Sequence, residues 1–168
     1  MRGIGAWLRR RAENAAAAML AVMFAAFIIQ IVFRYLFNFP VGWTSELTVV
    51  MWLWLVLFGS AFVLTEKEEI RFDLLYSSVG PRARIGMAIV FALAIVLLYG
   101  VSLKPSYAYV SFMKVEKSSY LKIPMDWLYS IYLIFLVAVI ARYLWLLWRL
   151  LRGIDPEAAD VTKLSSGL

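Results

Sequence analysis

Three runs of 19 residues without a charged side chain, Ala15–Phe33, Leu47–Thr65 and Ile85–Leu103, constrain this chain more than any other feature. A helix rises about 1.5 Å per residue, so each run covers the roughly 30 Å hydrocarbon core of a bilayer. A fourth run, Trp127–Ala141, is 15 residues long before Arg142. A long arginine side chain can snorkel to the interface, and Tyr143–Trp148 carry the helix on to Arg149. Four spans in 168 residues leave no length for a separate soluble domain, and the 64% apolar composition, against about 45–50% in soluble domains, agrees. A cleaved signal peptide fits the first run less well than a retained span. Its apolar stretch is too long, and its small residues Ala15–Ala18 precede the stretch instead of following it.

The connectors carry helix-boundary signals. Between the first two runs lie Asn38, Pro40 and Gly42, and the second helix is expected to open at Trp43-Thr44-Ser45-Glu46, with Thr44 or Ser45 as cap and Glu46 in the first turn. The segment from Glu66 to Arg84 is too polar to cross. Phe72, Leu75, Tyr76 and Val79 recur there at helical spacing opposite Asp73, Ser77 and Ser78, which predicts a short helix lying in the membrane surface before Gly80-Pro81. Lys104-Pro105 closes the third run. Ser106–Lys122 either prolongs that helix past a kink or forms a surface loop. Pro124 and Asp126 mark the start of the last helix.

The reading is therefore an all-α integral membrane protein with four transmembrane helices, at about 15–33, 44–65, 85–103 and 124–148, plus one in-plane amphipathic helix. A single membrane domain is expected over 1–153 and a short, disordered polar tail over 154–168. Arg2, Arg9, Arg10, Arg11, Lys67, Arg71, Arg82, Arg84, Arg142, Arg149, Arg152 and Lys163 fall on one side. Arg34, Lys104, Lys114, Lys117 and Lys122 fall on the other, so the positive-inside rule puts both termini in the cytoplasm. The +6 net charge is thus scattered at span edges, and no basic stripe suited to nucleic acid forms.

The chain has no cysteine and no histidine. That excludes disulfides, thiolate nucleophiles, bis-histidine haem, imidazole or thiolate metal sites and a Ser-His-Asp triad. Ser111 and Lys114 form too generic a pair to indicate catalysis. No cofactor and no enzyme activity are expected. A self-sufficient transport path would need polar groups or a broken helix near the midplane. Here Gln30, Arg34, Glu46 and Arg142 lie towards span ends, and every proline falls at a helix end or in the tail.

A few residues stand out as structural or partner-interface candidates. Arg34 and Glu46 flank one connector and act either as separate interfacial anchors or as an ion pair joining the first two helices. Trp52 and Trp54 lie inside the second run on nearly opposite sides, since two residues turn a helix by about 200°. Each packs within the chain, faces lipid or meets a partner, with an indole N–H that wants an acceptor. Ala17, Ala21 and Ala25, and likewise Ala88 and Ala92, recur every four residues, a spacing that lets helices approach closely.

In order along the chain stand Arg34-Tyr35-Leu36-Phe37-Asn38, Pro40, Trp43-Thr44-Ser45-Glu46, Gly59, Ile70-Arg71-Phe72-Asp73 and Ile123-Pro124-Met125-Asp126-Trp127. This ordered set resembles the small membrane subunit, DctQ type, of tripartite ATP-independent periplasmic (TRAP) transporters, over nearly the whole chain. Glu69 stands where that family often has histidine, and Ser45 where it often has a second acid. Within the resemblance, Trp43 and Asp73 join Arg34, Glu46, Trp52 and Trp54 as interface candidates. The resemblance implies a bacterial inner-membrane protein bound to a large multi-spanning permease subunit that holds the substrate and ion sites, with a periplasmic solute-binding protein delivering an organic acid. In such a system the small subunit is a non-catalytic scaffold surrounded by lipid; whether Tyr107–Lys122, the most polar part of the outer surface, touches the periplasmic protein is left open by the sequence. The alternatives are a stand-alone four-helix exporter or channel that homo-oligomerises, and an assembly factor for another membrane complex.

Overall fold

The computed structural model describes residues 2–39, 41–64 and 80–152. The in-plane helix expected before Gly80, the tail 154–168 and Asp73 lie outside the described residues. Four long helices account for most of what is described: α1 (Arg2–Tyr35), α2 (Gly42–Phe58), α3 (Pro81–Phe112) and α4 (Met125–Leu151). A π-helical turn, Gly59–Val63, extends α2, and a 3-10 turn, Met113–Val115, follows α3. Four helical segments are long and apolar enough to cross a membrane: Trp7–Tyr35, Gly42–Val63, Ala83–Val115 and Met125–Leu151. These match the four spans expected: the first and third are wider at both ends, the second is shifted to Gly42–Val63, and the fourth extends to Leu151.

Two boundaries differ from the sequence reading. The second helix begins at Gly42, with Val41 as its cap residue and no capping side chain. The Thr44 hydroxyl donates to the Val41 carbonyl at 2.8 Å instead of accepting from a backbone amide, and Glu46 falls in the second turn. The third helix runs through Pro105 to Phe112, so this proline is interior and Ser106–Phe112 prolongs the helix. A proline removes one i to i−4 hydrogen bond, a defect that membrane helices tolerate where neighbouring groups compensate.

Contacts divide the chain into two compact units, Met1–Glu69 with Pro105–Phe135, and Ile70–Lys104 with Leu136–Leu168. In the first unit α1 packs against α2 and its π-helical turn. Ala26 is the buried alanine of α1, whereas Ala17, Ala21 and Ala25 are exposed. The close approach therefore uses a neighbouring face, not the expected stripe. The α1 end is closed locally: the Phe39 N–H returns to the Phe33 carbonyl at 3.0 Å, and Asn38 takes φ 50°, a left-handed turn that asparagine accommodates. In the second unit Ala92 is fully buried, and Phe91 meets Tyr143 edge-on with centroids 6.1 Å apart. Leu136, Val139, Tyr143, Leu146 and Leu150 form the buried stripe of α4 in this unit, spaced alternately by three and four residues as one helix face requires.

Candidate functional site

The densest polar structure in the first unit joins the head of α2 to the connector between the 3-10 turn and α4. That connector is a short loop closed on itself. Lys117 and Pro124 form an isolated antiparallel bridge, the Ser118 N–H donates to the Ile123 carbonyl at 2.9 Å, and the Met125 N–H donates to the Glu116 carbonyl at 3.0 Å. The buried Ser118 Oγ accepts from the Ile123 N–H at 3.1 Å. Lys122 turns the chain at φ 55°, an unfavourable setting for a residue with a Cβ that the surrounding bonds hold in place.

Glu46 grips this loop. Its Oε2 accepts the Tyr120 N–H at 2.8 Å and the Leu121 N–H at 3.0 Å. The Ser119 N–H and the Ser118 side chain hydrogen-bond to the same carboxylate. A carboxylate that gathers successive backbone donors forms the strong, charge-assisted class of hydrogen bond. Above it the Tyr120 ring rests on Gly42, in the space a side chain there would occupy. Along α2 the Thr48 hydroxyl donates to the Thr44 carbonyl at 2.8 Å, and Thr44 is fully buried.

Just over two turns beyond Glu46, Trp54 ties α2 to α4 itself. Its Nε1–H donates to the Leu128 carbonyl at 3.1 Å, and its ring stacks on Trp127 with centroids 5.3 Å apart and 29° between planes. The carbonyl thus supplies the acceptor that an indole inside a span needs. Trp52, on the other side of α2, is 57% exposed.

Of the sequence candidates, Glu46 and Trp54 are brought together on one side of α2 with the start of α4. Arg34 is exposed at the end of α1, and among the described residues no ion pair joins it to Glu46, whose carboxylate is taken by the loop. The ion-pair reading is thereby corrected. Trp43 is exposed in the first turn of α2. Gly42, Ser118 and Tyr120 escaped the sequence reading. The loop donors are backbone amides, which leave no residue pattern, and the faint signal was a glycine at a helix start where a better helix former would serve. Among the described residues no cluster of His, Asp or Glu is arranged to hold a metal ion. Asp126, in the first turn of α4, has a buried Oδ1 with no hydrogen-bond partner.

These observations define a multi-helix membrane protein whose polar groups tie its own helices and connector together. Residues 23–153 match the family described as tripartite ATP-independent periplasmic transporters, DctQ component, and the chain belongs to that family. Family membership and the four apolar helices make it a multi-pass protein of the bacterial inner membrane. Over 88 residues it is 34% identical to the C4-dicarboxylate TRAP transporter small permease protein DctQ of Vibrio cholerae serotype O1. That alignment covers 49% of this chain and 36% of the Vibrio protein.

Proposed function

We propose that this chain is the fixed scaffold of an ion-coupled importer, holding a larger multi-spanning permease subunit at its depth in the bilayer while that partner carries the substrate and ion sites. A periplasmic solute-binding protein hands the solute to the pair. The name of the Vibrio relative supports an organic acid as the solute class. Both termini face the cytoplasm, as the distribution of lysine and arginine supports.

The observation that carries this reading is the use of polar side chains in the spans. Glu46, Thr48 and Trp54 each close on this chain's own backbone, which suits a rigid frame and leaves them committed before any solute arrives. The apolar surface supports it further: in the most apolar window of each of the first three spans, about 6% of residues are buried within the chain. The remainder suits lipid and a large apolar partner. The 3-10 turn and connector that would face the periplasm expose Lys114, Lys117 and Lys122, a surface complementary to an acidic patch on the binding protein.

Purification of the tagged chain from its native membrane in mild detergent, followed by mass spectrometry, tests the scaffold. A stoichiometric partner with ten or more predicted spans is the expected result. Recovery of this chain alone as a defined homo-oligomer would replace the reading with that of a stand-alone exporter or channel.

A further inference from the structure

The last two turns of α4 carry an arrangement that the scaffold reading does not use. Trp145 and Trp148 stack with centroids 5.0 Å apart and 27° between planes, and the Arg152 guanidinium lies over the Trp148 ring at 3.9 Å. By helical geometry Trp145, Trp148, Arg149 and Arg152 fall within about 100° of arc. The buried Leu146 and Leu150 lie outside that arc, towards the chain's interior. Trp145 and Trp148 are both exposed, as are Leu144 and Leu151 beside them. The group therefore forms an outward ladder of ring, ring and guanidinium where an apolar span ends and water begins.

Stacking engages the flat face of a guanidinium and leaves its in-plane N–H fork free for an oxyanion. Among the described residues neither Arg149 nor Arg152 has an acidic partner. The start of α1 has a similar stack, with Arg11 over Trp7 at 5.2 Å, and there a neighbouring cation, Arg9, is paired with Glu13 at 2.9 Å. Among the described residues the cations at the end of α4 are not paired with an acid, and they stand at the very end of the apolar span Met125–Leu151. We propose that this face binds the phosphate of an anionic phospholipid, with Arg149 and Arg152 as donors, the two indoles as the platform for the glycerol region, and Leu144 and Leu151 against the acyl chains. The charge complementarity and the aromatic platform at a span end favour a lipid over a soluble phosphate.

The test is native mass spectrometry of the full chain released from nanodiscs containing phosphatidylglycerol and phosphatidylcholine. Phosphatidylglycerol is expected to be retained selectively, and each of R149Q and R152Q to lower its retention roughly fivefold, as for a basic residue near an anionic surface. R152K, which keeps the charge but loses the stacked fork, should fall between wild type and R152Q, with phosphatidylcholine unchanged. R34Q, a charge removed at the other end of a span, should have no effect. The proposal is overturned if R34Q and the R149Q/R152Q pair lower retention equally, if the pair has no effect, or if excess inorganic phosphate strips the lipid, which would mark an ion site only. R152K alters one exposed side chain, so it reads out even where the double variant is poorly folded.

Discussion

The ring of Tyr120 occupies the space above Gly42 that any larger residue would need, so the first residue of α2 and the tip of the connector fit each other by the absence of a side chain. Gly42→Ala should improve helix propensity yet displace the ring. Because Tyr120 is 65% exposed and can swing outward, the net cost should sit at the low end of the overpacking range, about 1 kcal/mol. In a Tyr120→Ala background the same substitution should be neutral or stabilising. Thermal unfolding in detergent across the four-member cycle checks this, and additivity of the two changes would refute the fit.

Glu46 holds the loop through backbone donors, so its removal should appear first as local opening. Hydrogen–deuterium exchange at residues 119–121 should rise in Glu46→Gln, which keeps one acceptor oxygen, and rise further in Glu46→Ala. The exchange of α1 should not change. Since Arg34 is not its partner, the double reversal Arg34→Glu with Glu46→Arg should restore nothing. Recovery of loop protection in that double variant would return the ion pair to consideration.

The two tryptophans of α2 should separate cleanly. Trp54→Phe keeps the ring against Trp127 but loses the bond to the Leu128 carbonyl, at a cost of about 0.5–1.5 kcal/mol. Trp54→Ala loses the stack as well and should cost more. Trp52→Phe, on an exposed side chain, should leave the unfolding temperature of the isolated chain unchanged. An equal effect of the two phenylalanine substitutions would contradict the assignment of Trp54 as the inward tie.

How much of this could be read from sequence follows from the range of the interactions. Runs of uncharged residues report the spans directly, because the cost of charge in hydrocarbon acts on each residue alone. The opposed directions of Trp52 and Trp54 follow from the helix period, but which of them faces inward depends on Leu128, 74 residues away. Glu46 is conspicuous in sequence as an acid near a span end, and the natural local inferences were the helix dipole or Arg34. Its real partners are amides of a loop 74 and 75 residues on, and amides are the same in every sequence. Pro105 misled for a related reason: proline ends helices in water, whereas in a bilayer the chain has no cheaper place for its backbone groups than the helix it is already in.

Orientation can be tested because the chain contains no cysteine, so one introduced thiol is a unique reporter. Lys163→Cys lies in the tail and Lys117→Cys on the connector gripped by Glu46. With both termini in the cytoplasm, a membrane-impermeant maleimide added to intact cells from which the outer membrane has been removed should label position 117 and not position 163, and the pattern should reverse in inside-out vesicles. Twelve basic residues against five favour this orientation, because arginine and lysine near span ends resist translocation. External labelling at 163 would invert the topology, move the connector to the cytoplasm, and rule out Lys114, Lys117 and Lys122 as a surface for a periplasmic protein.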